Sequence, residues 1–171
     1  MEKEPPMPHP KPLLPIPLIN AGGMAAYILV SWWAVKAAGL PGELPLPVWA
    51  AWVLGLPLLL AGGFLILAGL FRLGFQRAAG VEYFPGAEGV QLETSGLFAY
   101  TRNPMYLAGI FIFAALALLL RWTPMIPATV LVYLHVLAVG KWEERELAAR
   151  YGEAYLAYRR RVPFLWPWLR R

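Results

Sequence analysis

The sequence predicts an all-α integral membrane protein with four transmembrane helices, the third and fourth paired as a helical hairpin. Three observations carry this. Of 171 residues, 59% are hydrophobic and only 15% charged, with a mean hydropathy of +0.53, whereas a soluble domain has about a quarter of its residues charged. Apolar runs recur at about 18–38, 48–73, 104–120 and 124–142, lengths that suit a hydrocarbon core of ~30 Å at a rise of ~1.5 Å per residue. Four spans also place both termini on one side, and 13 of the 15 Lys and Arg then share that side, Lys36 and Arg121 being the exceptions. The positive-inside rule makes that side the cytoplasm, so the expectation is a multi-pass protein of the cell (inner) membrane with both termini cytoplasmic.

The elements follow in order within one membrane domain, 1–171. Residues 1–17 carry seven prolines among the first seventeen positions. They predict an extended surface segment rather than a cleaved leader, because proline breaks an early helix. The first two spans are long enough to cross alone. Pro57 predicts a kink in the second, and Gly55, Gly62, Gly63 and Gly69 predict close helix approach. The third and fourth spans are separated only by Arg121–Pro124, a link that forces antiparallel neighbours. Asn103-Pro104 and Thr123-Pro124 read as N-cap and first-turn pairs at their starts. Lys141–Arg150 continues the fourth helix, Gly152 breaks it, and Glu153–Arg161 forms a further helix ended by Val162-Pro163. Trp32, Trp33, Trp49, Trp52 and Trp122 mark one interface and Trp142, Trp166 and Trp168 the other, with 164–169 as an interfacial anchor.

Composition excludes several classes of function. There is no cysteine, which removes thiol nucleophiles, disulfides and zinc–thiolate centres. Two histidines, His9 and His135, do not make a metal site. Topology bias accounts for the formal charge of +5, so no nucleic-acid partner is implied. The partners expected are the lipid bilayer and a lipophilic small-molecule or lipidated acceptor.

Nine of the ten acidic residues share the cytoplasmic side with the arginines, Glu43 being the exception. Chemistry-capable groups therefore concentrate on one face. Two clusters stand out: Tyr100–Tyr106, where a polar loop enters the third span, and Glu143–Glu146, just past the fourth. Polar groups at a membrane edge are expensive and are kept for a reason. Taken singly each has a bland reading: Asn103 as a cap, Arg102 paired with a lipid phosphate or with Glu144, the glutamates as a solvated face, and Arg159–Arg161 as a lure for anionic lipid. Tyr151, Tyr155 and Tyr158 recur at helical spacing on one face and read as packing. His135, about two turns deeper than Glu143, reads as hydrogen-bonded between helices in preference to lining a cavity.

Thr94-Ser95-Gly96-Leu97-Phe98, Arg102-Asn103-Pro104-Met105-Tyr106-Leu107-Ala108-Gly109, Glu143-Glu144, Tyr151-Gly152-Glu153-Ala154-Tyr155 and Tyr158–Pro163 occur in one order and spacing. With these residues the chain, over roughly 80–171, resembles the isoprenylcysteine carboxyl methyltransferase family of integral membrane enzymes. The resemblance implies S-adenosylmethionine as cofactor, in a cytoplasmic pocket closed by the 74–104 loop and the C-terminal helices. It implies that Gln91, Leu92, Glu93 and Phe98 line the pocket from the loop, and that Asn103, Pro104, Met105 and Tyr106 contact the cofactor at the helix start. Glu143 would hydrogen-bond its polar part, and Arg102 and Tyr106 would be the catalytic pair. Many members have histidine at the position of Asn103, and eukaryotic members have an arginine at the position of Val139. Asparagine does not titrate near neutral pH, so no general base is expected there. Lys141 and His135 are the substrate-side candidates. The departures point to the same reaction on a different acceptor: a small lipophilic carboxylate, thiol or amine. A phospholipid N-methyltransferase, a small-thiol methyltransferase, an NADPH-dependent membrane reductase and a non-enzymatic scaffold are the alternatives.

Overall fold

In a computed structural model, residues 16–78 and 91–167 are described, with side chains from 22–74 and 91–167. The proline-rich segment 1–15, Glu82–Pro85 of the loop and Trp168–Arg171 of the anchor lie outside the described residues. Within them the chain is helical: α1 (Ile16–Ala37), α2 (Val48–Ala78), α3 (Pro104–Leu119), α4 (Met125–Tyr151) and α5 (Glu153–Arg161), with a 3-10 turn at Gly96–Ala99. Two helices, Val48–Gly74 and Met125–Tyr151, are long and apolar enough to cross a membrane, and the apolar α3 is shorter.

The helices pack in the lateral order α2–α3–α4–α1. The hairpin therefore forms the centre. Its seam is a continuous apolar core of Leu107, Ile110 and Phe113 from α3 against Met125, Ala128, Val132 and Val136 from α4. The connection between α1 and α2 crosses above the hairpin turn. There Leu44 N donates to Arg121 O at 2.7 Å, Thr123 N donates to Gly42 O at 3.0 Å, and Arg121 pairs with Glu43 at 3.1 Å.

The α2–α3 contact rests on three glycines of α2 spaced seven residues apart. A methyl group at Gly55 would lie 2.7 Å from the Leu119 side chain, one at Gly62 2.8 Å from Ile112, and one at Gly69 3.1 Å from Met105. Small residues let two backbones approach, which is how helices gain van der Waals contact where the hydrophobic effect does not drive them together. Gly63, expected in the same stripe, has nothing within 4 Å, because one residue along a helix turns the side chain ~100° away. The opposite face of α2 exposes Trp49, Val53, Leu56, Leu60, Phe64, Leu67 and Phe71, the last at 88%. An apolar stripe that long is an interaction surface, and lipid satisfies it. Gly62→Leu is expected to cost about 1–3 kcal/mol by overpacking, read as a lower melting temperature in detergent, whereas Gly63→Leu should leave it unchanged.

Pro57 lies inside α2, and the non-helical backbone of α2 falls further on, at Gly74 (φ 74°, ψ 157°). A positive φ costs glycine nothing, whereas proline in the first half of an apolar helix can be absorbed by local adjustment. Neither predicted N-cap side chain caps: Asn103 makes no capping hydrogen bond, and α4 begins one residue later with Pro124 at its N-cap. Thr123 Oγ1 is buried without a hydrogen-bond partner. Gly152, at φ 55°, separates α4 from α5 as expected.

Candidate functional site

The site forms where the start of α3, the C-terminal third of α4 and the whole of α5 meet the 91–103 segment. Its organiser is Arg102. The backbone N of Arg102 donates to Pro163 O at 3.0 Å. Its Nη1 donates to Arg159 O at 2.8 Å and Val162 O at 2.5 Å, and its Nη2 donates to Glu144, an ion pair whose side chains are 8% and 12% exposed. Carbonyls at a helix C-terminus lack intrahelical donors, and the planar guanidinium fork satisfies two of them while neutralising a carboxylate. The end of α5 is thereby clasped to the mouth of the hairpin.

Beyond the clasp the chain turns back along the hairpin. Thr101 Oγ1 and Asn103 Nδ2 both donate to Phe164 O at 3.3 Å. The Phe164 ring lies flush on Gly140, where any Cβ would collide with it. Leu165 is 2% exposed within the hairpin core, and the Trp166 ring packs on Phe111 at 6.2 Å. The described part of the 164–169 segment is thus docked against the hairpin core.

On one side of this clasp a cavity of about 140 Å³ opens, lined by Leu92, Glu93 and Phe98 from the loop, Arg102 and Asn103, and Glu143 from α4. These six were expected there. Tyr106 donates to Glu143 Oε1 at 2.6 Å, so it holds the glutamate from behind. Among the described residues Glu143 pairs with no cation, while its neighbour Glu144 takes Arg102. Adjacent residues on a helix point ~100° apart, which explains the division. The loop is tied down by its own bonds: Glu93 Oε1 accepts from Ser95 N at 2.9 Å and Ser95 Oγ at 2.5 Å, and Arg72 reaches Ser95 Oγ at 3.1 Å.

Pro104 is fully buried, Met105 packs at Gly69 and Gln91 is exposed; none of the three lines the cavity. Lys141 is exposed and also lies off it. His135 Nδ1 sits 2.9 Å from the hydroxyl of Tyr27, the rings edge-to-face. It links α4 to α1, the interhelical role favoured from the sequence, and is away from the cavity.

Leu73, Leu147, Tyr151, Tyr155 and Tyr158 also line the cavity and were not expected to. The three tyrosines do not share one helical face, since Tyr151 ends α4 and the other two belong to α5 across the Gly152 break. They pack together with Val162 in a small core cluster, as the packing reading expected, and line the cavity as well. The signal was present: Glu143, Leu147 and Tyr151 recur at i, i+4, i+8, one face of α4. Tyr158 donates to Phe98 O at 2.6 Å and stacks edge-on to Tyr155 at 6.1 Å. Burial is the largest cause pushing both phenols above their ordinary value, so both remain protonated donors at physiological pH.

Comparison with known proteins agrees with this architecture. The family described as PEMT, phospholipid methyltransferase, matches residues 50–154, which takes in α2 through the start of α5. The chain belongs to that family and, with its long apolar helices, is a membrane protein. It is similar to methanethiol S-methyltransferase of Crocosphaera subtropica, 31% identical over 94 residues, covering 52% of this chain and 32% of the relative. It is also similar to mouse (Mus musculus) Delta(14)-sterol reductase, 32% identical over 88 residues, covering 50% of this chain and 21% of the relative. The matches thus span a third or less of either relative. No solved structure matches the chain.

Proposed function

We propose that the chain is a multi-pass membrane methyltransferase that uses S-adenosylmethionine and acts on a small lipophilic acceptor. In this reading α1–α4 are four spans, both termini are cytoplasmic and the cavity opens to the cytoplasm. The observation that carries it is the convergence of Glu93, Phe98, Asn103 and Glu143, separated by up to fifty residues in sequence, on one cavity.

The lining fits a cationic cofactor. Glu143 is held by Tyr106 and forms no ion pair among the described residues, and Phe98, Tyr151, Tyr155 and Tyr158 surround the same space with aromatic rings. Carboxylates and ring faces both favour a sulfonium or an ammonium group. When bound, S-adenosylmethionine supplies an electrophilic methyl group. Glu143 and Glu93 would hold its positive groups, the rings would exclude water, and Tyr106 would fix the Glu143 rotamer. Arg102, whose two Nη atoms are engaged by Glu144 and two carbonyls, would act by positioning. A cavity of about 140 Å³ is below the ~300–1,000 Å³ of a pocket that encloses a small-molecule ligand, so the 91–99 segment would shift outward to admit the nucleoside.

Methyl transfer is an in-line displacement in which positioning supplies much of the rate. An acceptor that ionises unaided, a thiol or carboxylate, requires no protein base, and the similarity to a methanethiol S-methyltransferase favours the thiol. The test is methyl-labelled S-adenosylmethionine incubated with the protein in lipid nanodiscs and, separately, a short-chain thiol, a prenylated cysteine and phosphatidylethanolamine. Label entering the thiol supports the reading, and a protein that binds the cofactor yet labels none of the three overturns it.

A further inference from the structure

We propose that a second cavity, on the far side of the Arg102–Glu144 pair, is a binding site for one anionic phospholipid taken from the surrounding bilayer. This rests on the placement of charge and apolar surface and is independent of the methyltransferase reading.

The cavity has a volume of about 440 Å³ and is sharply divided. One end carries Arg159, Arg160 and Arg161. The other is floored by Tyr133 and Leu137 of α4 and walled by Phe164 and Trp166 of the docked C-terminal stretch. The single carboxylate in its lining, Glu144, already holds Arg102. Beyond that pair, Glu144 lies 3.9 Å from Arg159, and Arg160 lies 3.8 Å from Glu153, both arginines more than half exposed. Pairs this long, made by arginines that are more than half solvated, are weak and readily exchanged for another anion. The arginine end therefore keeps a net positive charge.

The apolar end continues into lipid-facing surface. Val130 and Leu134, each 53% exposed, lie on α4 beside Tyr133 and Leu137. A soluble anion would use the arginines and leave that floor uncovered. An amphiphile with a negative headgroup covers both, its phosphate at the arginines and its chains running along α4. Basic residues at a membrane surface attract anionic lipid at about 1 kcal/mol each. What distinguishes this site from general surface attraction is the walled groove, formed only because Phe164 seats on Gly140.

The test is retention of lipid by the purified full chain in detergent, read by native mass spectrometry with phosphatidylglycerol and phosphatidylcholine of identical chains. The expected result is a 1:1 phosphatidylglycerol adduct at concentrations where phosphatidylcholine gives none. Arg160→Gln/Arg161→Gln should weaken that adduct roughly tenfold or more. Leu137→Trp, which fills the groove without changing charge, should also remove the 1:1 adduct. Equal retention of the two lipids, an unchanged adduct in the double variant, or full displacement of phosphatidylglycerol by inorganic phosphate would overturn the proposal.

Discussion

Arg102→Ala is expected to destabilise the protein by about 3–5 kcal/mol and to free the C-terminal segment. The magnitude follows from what is left behind. Glu144 is 12% exposed and would lose its close cation, and removing one partner of a buried pair strands the other charge. The carbonyls of Arg159 and Val162 lose their donor at the same time. Because Phe164 and Leu165 are held in the hairpin core only downstream of this clasp, the loss should propagate to them. The measurement is thermal melting in detergent together with limited proteolysis at 159–167. A lower melting temperature with new cleavage there is predicted, and unchanged protection would show that Arg102 is not the clasp. Arg102→Lys should recover only part of the loss, since a lysine presents a point charge in place of a fork.

Glu143→Gln is expected to leave the fold intact and weaken binding of S-adenosylmethionine by about 30-fold or more. The amide still accepts the Tyr106 hydrogen bond, so the variant removes charge and little else. Losing one partner of a desolvated charge pair costs ~2–5 kcal/mol in binding. Tyr106→Phe should weaken binding less, because it loosens the glutamate without neutralising it. Equal affinity in wild type and Glu143→Gln, at equal melting temperature, would take Glu143 out of the site.

The contrast between these two residues shows what was legible in the sequence. Some helix ends were readable because they are local: α3 begins at Pro104 and α4 ends at the Gly152 break. The set Leu92, Glu93, Phe98, Asn103 and Glu143 was implied by the resemblance to the isoprenylcysteine carboxyl methyltransferase family, and these residues share one cavity. The docking of 162–166 was not readable. Arg102 meets carbonyls 57 and 60 residues away, and Phe164 finds a slot that exists only because residue 140 has no side chain. No local pattern encodes a contact at that separation. The adjacent glutamates were also ambiguous, since sequence does not say which of two neighbours faces which partner, and only the rotation of α4 assigns Glu144 to Arg102 and Glu143 to the cavity.

The most direct measurement of the central claim is calorimetric titration of the purified protein with S-adenosylmethionine, its demethylated product and a reduced nicotinamide cofactor. The similarity to a sterol reductase makes the third arm necessary. Binding of both sulfur compounds and none of the nicotinamide is predicted. A folded sample that gives no heat with either sulfur compound would contradict the account.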